Sequence, residues 1–167
     1  MNEIIEIKKM KEAIINTVNG AFDRLLLTFG NEESTDFIKE YVYPLNINTN
    51  IFIGKKPTAV LFGEERVDVK TWREVYEVIL KRCNQDEEYH KTLMYLRNKV
   101  SGKSRTFLSD KPDGMIRPLK IDNDLYGEIQ YGSATLMHIL LTHILAHVGF
   151  DYYGISLVLK EGKRKYG

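Results

Sequence analysis

Residues 58–83 read TAVLFGEERVDVKTWREVYEVILKRC, and this stretch decides the fold. Thr58 to Phe62 and Arg66 to Val69 are rich in β-branched and aromatic residues. Gly63-Glu64-Glu65 separates them, so the pattern predicts a hairpin. At Thr71 the period changes. Thr71-Trp72-Arg73-Glu74 is a capping box, with a threonine to accept the third helical amide and a glutamate three residues on. Trp72, Val75, Tyr76, Ile79, Leu80 and Cys83 then recur at helical spacing as an inward face. A hairpin that runs directly into a helix predicts helices segregated from an antiparallel sheet, an α+β arrangement.

Working outward on the C-terminal side, Asn84 to Asp86 make a turn. A second helix opens on acidic residues at Glu87 and carries Tyr89, Leu93, Leu96 and Val100 as its seam. Ser101-Gly102 ends it. Arg105 to Ser109, Arg117 to Ile121 and Leu125 to Tyr131 read as strands, the first two separated by the turn Lys111-Pro112-Asp113-Gly114. Ser133 is placed to cap a long helix to His147, with Gly149 as its left-handed terminator. Tyr152 to Lys160 closes with a strand. The body over 57–160 therefore reads ββααβββαβ, with a mainly antiparallel sheet.

On the N-terminal side, Ile7, Met10/Lys11, Ile14, Val18, Phe22, Leu25 and Phe29 form an apolar stripe of helical period, weakened at Asn19-Gly20. A second short helix is expected over 33–42, closed by Pro44. The division expected is a helical arm over 1–44, a connector over 45–56, the body over 57–160 and a basic tail over 161–167. The arm's stripe must be covered. Packing on the body is the favoured expectation, and a second copy of the arm, giving a homodimer, is the other.

Composition narrows the class. The chain has 167 residues, 43% of them apolar and 28% charged, with a net charge of +1. That is ordinary for a globular domain with its own core. Cys83 is alone, so no internal disulfide can form. With no leader sequence in view, the cytoplasm is the expected location. No apolar run approaches the roughly 18 residues of a membrane span, so no membrane association is expected.

Charge is concentrated in one place. Between Arg97 and Lys120 lie seven basic residues and two acidic ones, Asp110 and Asp113. Local excess in a nearly neutral chain is the footprint of a surface for phosphates or an acidic partner. Lys103, Arg105, Lys111, Arg117 and Lys120 flank the predicted strands and are assigned phosphate or carboxylate contact. Tyr126 and Tyr131 are assigned stacking, since cations with interleaved aromatics on a sheet are how single strands are held.

Motifs with catalytic or metal chemistry are weaker. Gly102-Lys103-Ser104 ends like a phosphate loop, but the required earlier glycine is Arg97 and a helix, not a strand, precedes it. His143 and His147 stand four apart on one helix and can present two imidazoles to one metal, yet no third ligand is near in sequence. Their plainer reading is two residues at the border of the apolar stripe, with His138 pointing away into solvent. Asp68-Val69-Lys70 has the D-x-K spacing of many metal-dependent nucleases but lacks a second carboxylate. Cys83 has no base beside it. No catalytic residue and no cofactor are expected.

Residues 57–159 resemble a small domain of uncharacterised proteins from Firmicutes phages, prophages and integrative elements. The likeness is carried by Thr71-Trp72-Arg73-Glu74, Arg105-Thr-Phe-Leu-Ser109, Met115-Ile-Arg-Pro118, Leu125-Tyr126-Gly-Glu128, Gly149-Phe-Asp-Tyr-Tyr and Ile155-Ser-Leu-Val-Leu. What the resemblance implies is context: an accessory protein of a mobile element. The expected function is non-enzymatic binding of nucleic acid, or of a nucleic-acid-handling protein, through the basic face. The alternatives are a protein inhibitor of a host defence system and a metal-dependent nuclease using Asp68 and Lys70.

Overall fold

The computed structural model describes residues 2–29 and 39–162, the side chains of 22–29 excepted. It divides into two units, one ending at Ile38 and the other beginning at Lys39. The described residues of the first form one helix, α1 (Asn2–Phe29).

The second unit is α+β. In chain order it holds β1 (Glu40–Pro44), a 3₁₀ turn (Thr49–Phe52), β2 (Lys55–Phe62), β3 (Glu65–Asp68), α2 (Trp72–Asn84), α3 (Glu87–Leu96), β4 (Leu108–Ser109), β5 (Pro118–Asp122), β6 (Leu125–Glu128), α4 (Ser133–His138), a π-helical segment (Ile139–Leu145), α5 (Ala146–Val148) and β7 (Ile155–Glu161). From β2 onward this is the expected ββααβββαβ order. The strands form two sheets, β1-β7-β2-β3 and β4-β6-β5, and every pairing is antiparallel.

The core is built by the faces read from periodicity. Val75, Tyr76, Ile79, Leu80 and Cys83 of α2 are buried, as are Leu93 of α3, Leu140 and Ile144, and Leu157 and Leu159 of β7. Thr71 caps α2, accepting the Glu74 amide at 3.2 Å. The reciprocal bond lands one residue early: the Glu74 carboxylate takes the Lys70 amide at 2.6 Å. In the small sheet, Leu119 and Gly127 face the helices while Lys120 and Tyr126 stand opposite each other on the outward face.

Several expectations are corrected. The helix expected over 33–42 is a strand at residues 40–42, and its earlier part, 33–38, lies outside the described residues. Glu40–Pro44 extends because it pairs with β7, Val42 against Val158. Residues 45–56 are not a connector, since Leu45 and Phe52 are fully buried and Lys55 and Lys56 already belong to β2. α3 stops at Leu96, a turn short of Val100. Arg97 binds the Met94 and Asp124 carbonyls at 2.9 Å each, and Asn98 adopts a left-handed φ of 61°. Ser133 is not a cap, because Gly132 holds that position and the Ser133 hydroxyl donates to the Phe52 carbonyl. Gly149 is left-handed at φ 77°, as expected for the terminator. Of the 161–167 tail, Glu161 ends β7 with an ion pair to Lys55 at 3.6 Å, and 163–167 lie outside the described residues.

Candidate anion-binding cleft

The basic segment is shaped by one buried carboxylate. Glu128, at the end of β6, is fully buried. Its oxygens accept the amides of Ile116 at 2.6 Å, Arg117 at 2.9 Å and Gln130 at 3.0 Å. A buried charge needs such donors, and three backbone amides satisfy it without a cation. The effect is to fasten the loop ahead of β5 onto β6. The Ile129 amide then donates to the Arg117 carbonyl at 3.1 Å, so Arg117 is held from both sides of its backbone while its side chain stays exposed.

On the other edge of β6, the Glu128 amide donates to the Phe107 carbonyl at 3.1 Å. That register sets Arg105 beside Gln130 and Tyr131. The Arg105 guanidinium donates to the Gln130 carbonyl at 3.2 Å and lies 5.3 Å from the Tyr131 ring centre. Tyr131 is packed edge-on against Phe107. Lys103 is exposed at the tip of the neighbouring turn, which is closed by the Gly102 amide on the Arg105 carbonyl. No helix follows Gly102-Lys103-Ser104, so the phosphate-loop geometry is absent there.

Arg117, Ile129, Tyr131 and Leu136 form one wall of a cleft of about 550 Å³. The first turns of α2 form the other, through Thr71, Trp72, Arg73, Glu74 and Glu77. Trp72 is anchored, its indole donating to the Lys55 carbonyl at 3.0 Å and its ring against Phe52. The two carboxylates of the cleft are already engaged. Glu74 holds the Lys70 amide, and Glu77 pairs with Lys81 at 2.7 Å. Arg73 and Arg117 make no ion pair among the described residues. The cleft therefore offers two uncommitted guanidiniums beside an aromatic ring.

The residues expected to form one basic face fall into two groups. Arg117 and Tyr131 line the cleft, Arg105 lies against the Tyr131 ring outside that lining, and Lys103 is on the adjoining turn. Lys120 and Tyr126 pair across the outward face of the small sheet, and Lys111 follows Asp110 in the loop. Both of these lysines have a carboxylate close by. Asp110 is held below its usual range by the Asn98 amide first, with Lys111 and Arg97 contributing. Asp122 is likewise held low, chiefly by Asn84, with Lys120 a minor contributor.

Arg73 escaped the sequence reading because it sits inside the capping box. A signal was present. A cation at the second position of a helix opposes the macrodipole, and a residue that breaks a local rule marks a site.

The remaining candidates are placed as follows. Asp68 is bound by Arg66 at 2.8 Å, and the Lys70 amide is taken by Glu74. Cys83 is buried and its thiol is pushed up to about 12 by burial, which holds it protonated. His138 is exposed but does not stand apart, because the π-helical segment brings its ring within 5.6 Å of His143. Burial, then His138 and His147, lower the His143 pKa. Among the described residues no three His, Cys, Asp or Glu side chains are grouped to hold a metal. Among the described residues no helix is long and apolar enough to cross a membrane. No known family model matches the chain, nor does any curated protein or solved structure.

Proposed function

We propose that this is a non-enzymatic binding protein whose cleft takes a phosphate-bearing single strand of nucleic acid. Arg73 and Arg117 contact phosphates from the two walls. Tyr131, backed by Arg105, offers a face for a base. The observation that carries this reading is the asymmetry of charge commitment. Each carboxylate in the cleft has an internal partner, and among the described residues neither guanidinium has an ion-pair partner. An uncommitted, pre-positioned guanidinium is the group best suited to bidentate phosphate contact. The resemblance to mobile-element proteins is in keeping with work on nucleic acid.

The test is fluorescence anisotropy with a labelled single-stranded oligonucleotide over a salt series. Each phosphate contact contributes about −0.7 to the slope of log affinity against log salt. Arg117→Glu or Arg73→Glu should weaken binding and flatten that slope by about one such step each. Tyr131→Ala should lose roughly 1–3 kcal/mol with the slope unchanged. Lys120→Glu, on the outward face, should change little. Affinity that survives the Arg73→Glu/Arg117→Glu pair would refute the cleft. Absence of oligonucleotide binding, with capture of an acidic protein that the same pair abolishes, would transfer the cleft to a protein partner.

A further inference from the structure

The N-terminal helix carries a stripe with a more specific pattern than amphipathicity requires. Its positions are Ile4, Ile7, Lys11, Ile14, Val18, Phe22, Leu25 and Phe29, at spacings of 3, 4, 3, 4, 4, 3 and 4. Seven of the eight are apolar, and Lys11 is the exception. Up to Val18 the spacing is that of a and d positions in a heptad, and the 4–4 step falls at Asn19-Gly20. Ile4, Ile7 and Ile14 are 60–65% exposed and Val18 is 46% exposed, so this face has the apolar surface of a coil seam.

We propose that the chain pairs with a second copy of itself through α1, as a parallel, in-register, two-stranded coil. Two features select this occupant. A single lysine among apolar seam residues is tolerated when it meets its own copy, because both ammonium groups can leave along the seam to water. A stagger of one heptad would set it against Ile4 in one direction and Val18 in the other, so it fixes register and strand number. The flanking charges agree. In this alignment Glu3, just before the first seam residue, faces Lys8 of the second copy, and the pair occurs twice by symmetry. An antiparallel alignment that superposes the stripe sets Lys11 against Phe22 and separates Glu3 from Lys8 by most of the helix. A dimer would carry two clefts, making a second contact on one strand intramolecular. That consequence rests on the cleft reading, whereas the pairing does not.

The test uses the full chain. Light scattering should give a mass of about twice 19.4 kDa, and Ile7→Glu/Ile14→Glu should return it to about 19.4 kDa with the thermal transition of the β1–β7 unit retained. Cysteine scanning then reads the register. Cys83 is the single native cysteine and is buried, so an introduced thiol reports alone. Under mild oxidation Ile7→Cys should cross-link to a covalent dimer, and Lys9→Cys, on the opposite side of the helix, should not. A mass of one chain or three, equal cross-linking of the two variants, or a dimer that Ile7→Cys fails to cross-link would overturn the proposal.

Discussion

The contact between Gly127 and Tyr76 gives the sharpest quantitative expectation. Tyr76 is fully buried, and its hydroxyl has no hydrogen-bond partner among the described residues. Burial, with the Glu128 charge and Tyr131 adding to it, raises its pKa, so the group stays a neutral phenol. A Cβ placed on Gly127 would lie 2.5 Å from that hydroxyl oxygen and 2.9 and 3.1 Å from the ring carbons beside it. Ordinary contact is about 3.5–4.0 Å, so the ring would have to retreat by roughly 1 Å into a packed core. Gly127→Ala should therefore cost about 1–3 kcal/mol. Tyr76→Phe works in the opposite direction. It deletes the nearest atom of the clash and an unsatisfied buried hydroxyl, and should stabilise the fold by about 1 kcal/mol. Urea denaturation followed by tryptophan fluorescence measures both, and the double variant completes a cycle. The phenylalanine should recover at least about 1 kcal/mol of the alanine's cost, since the two sites touch. In thermal melts each kcal/mol corresponds to about 2–4 °C for a chain of this size. Two results would refute the reasoning: a Tyr76→Phe variant less stable by more than about 1 kcal/mol, or strict additivity in the cycle. The first would mean the hydroxyl has a partner. The second would mean that no clash exists.

Three further expectations come from the polar groups. Glu128→Ala strands three amides and frees the loop before β5; it should cost at least about 3 kcal/mol, with Ile116 and Arg117 amides exchanging faster, and Glu128→Gln should cost less. His143 should titrate below 6.5 by NMR, because its folded pKa is depressed by burial and by neighbouring imidazoles. Its contribution to stability is complete above 6.5 and is lost as pH falls through the lower folded value, and His143→Gln should remove that loss. Asp122 is held below its ordinary 3.8 by the Asn84 amide first. Its contribution is present above that value and is lost as pH falls through the folded one, so Asn84→Ala should shrink the loss of stability seen below about pH 4.

Local pattern was enough wherever the decisive contacts are close in sequence. The Thr71 cap, the buried face of α2, the hairpin at Gly63 and the terminator at Gly149 are all settled within a few residues, so hydrophobic period and turn chemistry suffice. Glu40–Pro44 shows where that fails. Its apolar spacing suits a helix, but Tyr43 finds its partner at Leu157, near the other end of the chain, and ladder bonds to a distant strand outweigh a weak local preference. The end of α3 was decided in the same way, by Arg97 reaching the Asp124 carbonyl. Of the site, the sequence alone determined that cations and tyrosines cluster between Arg97 and Tyr131. Only the tertiary structure decided which of them meet. Glu128, to which the sequence reading assigned no role, is buried and fastens the loop that carries Arg117. Arg73 lies far from Arg117 along the chain and shares a cleft with it because α2 packs on the small sheet. A sequence records which charges exist. Whether a carboxylate is already engaged and a guanidinium still free depends on packing between elements, and no local period encodes that.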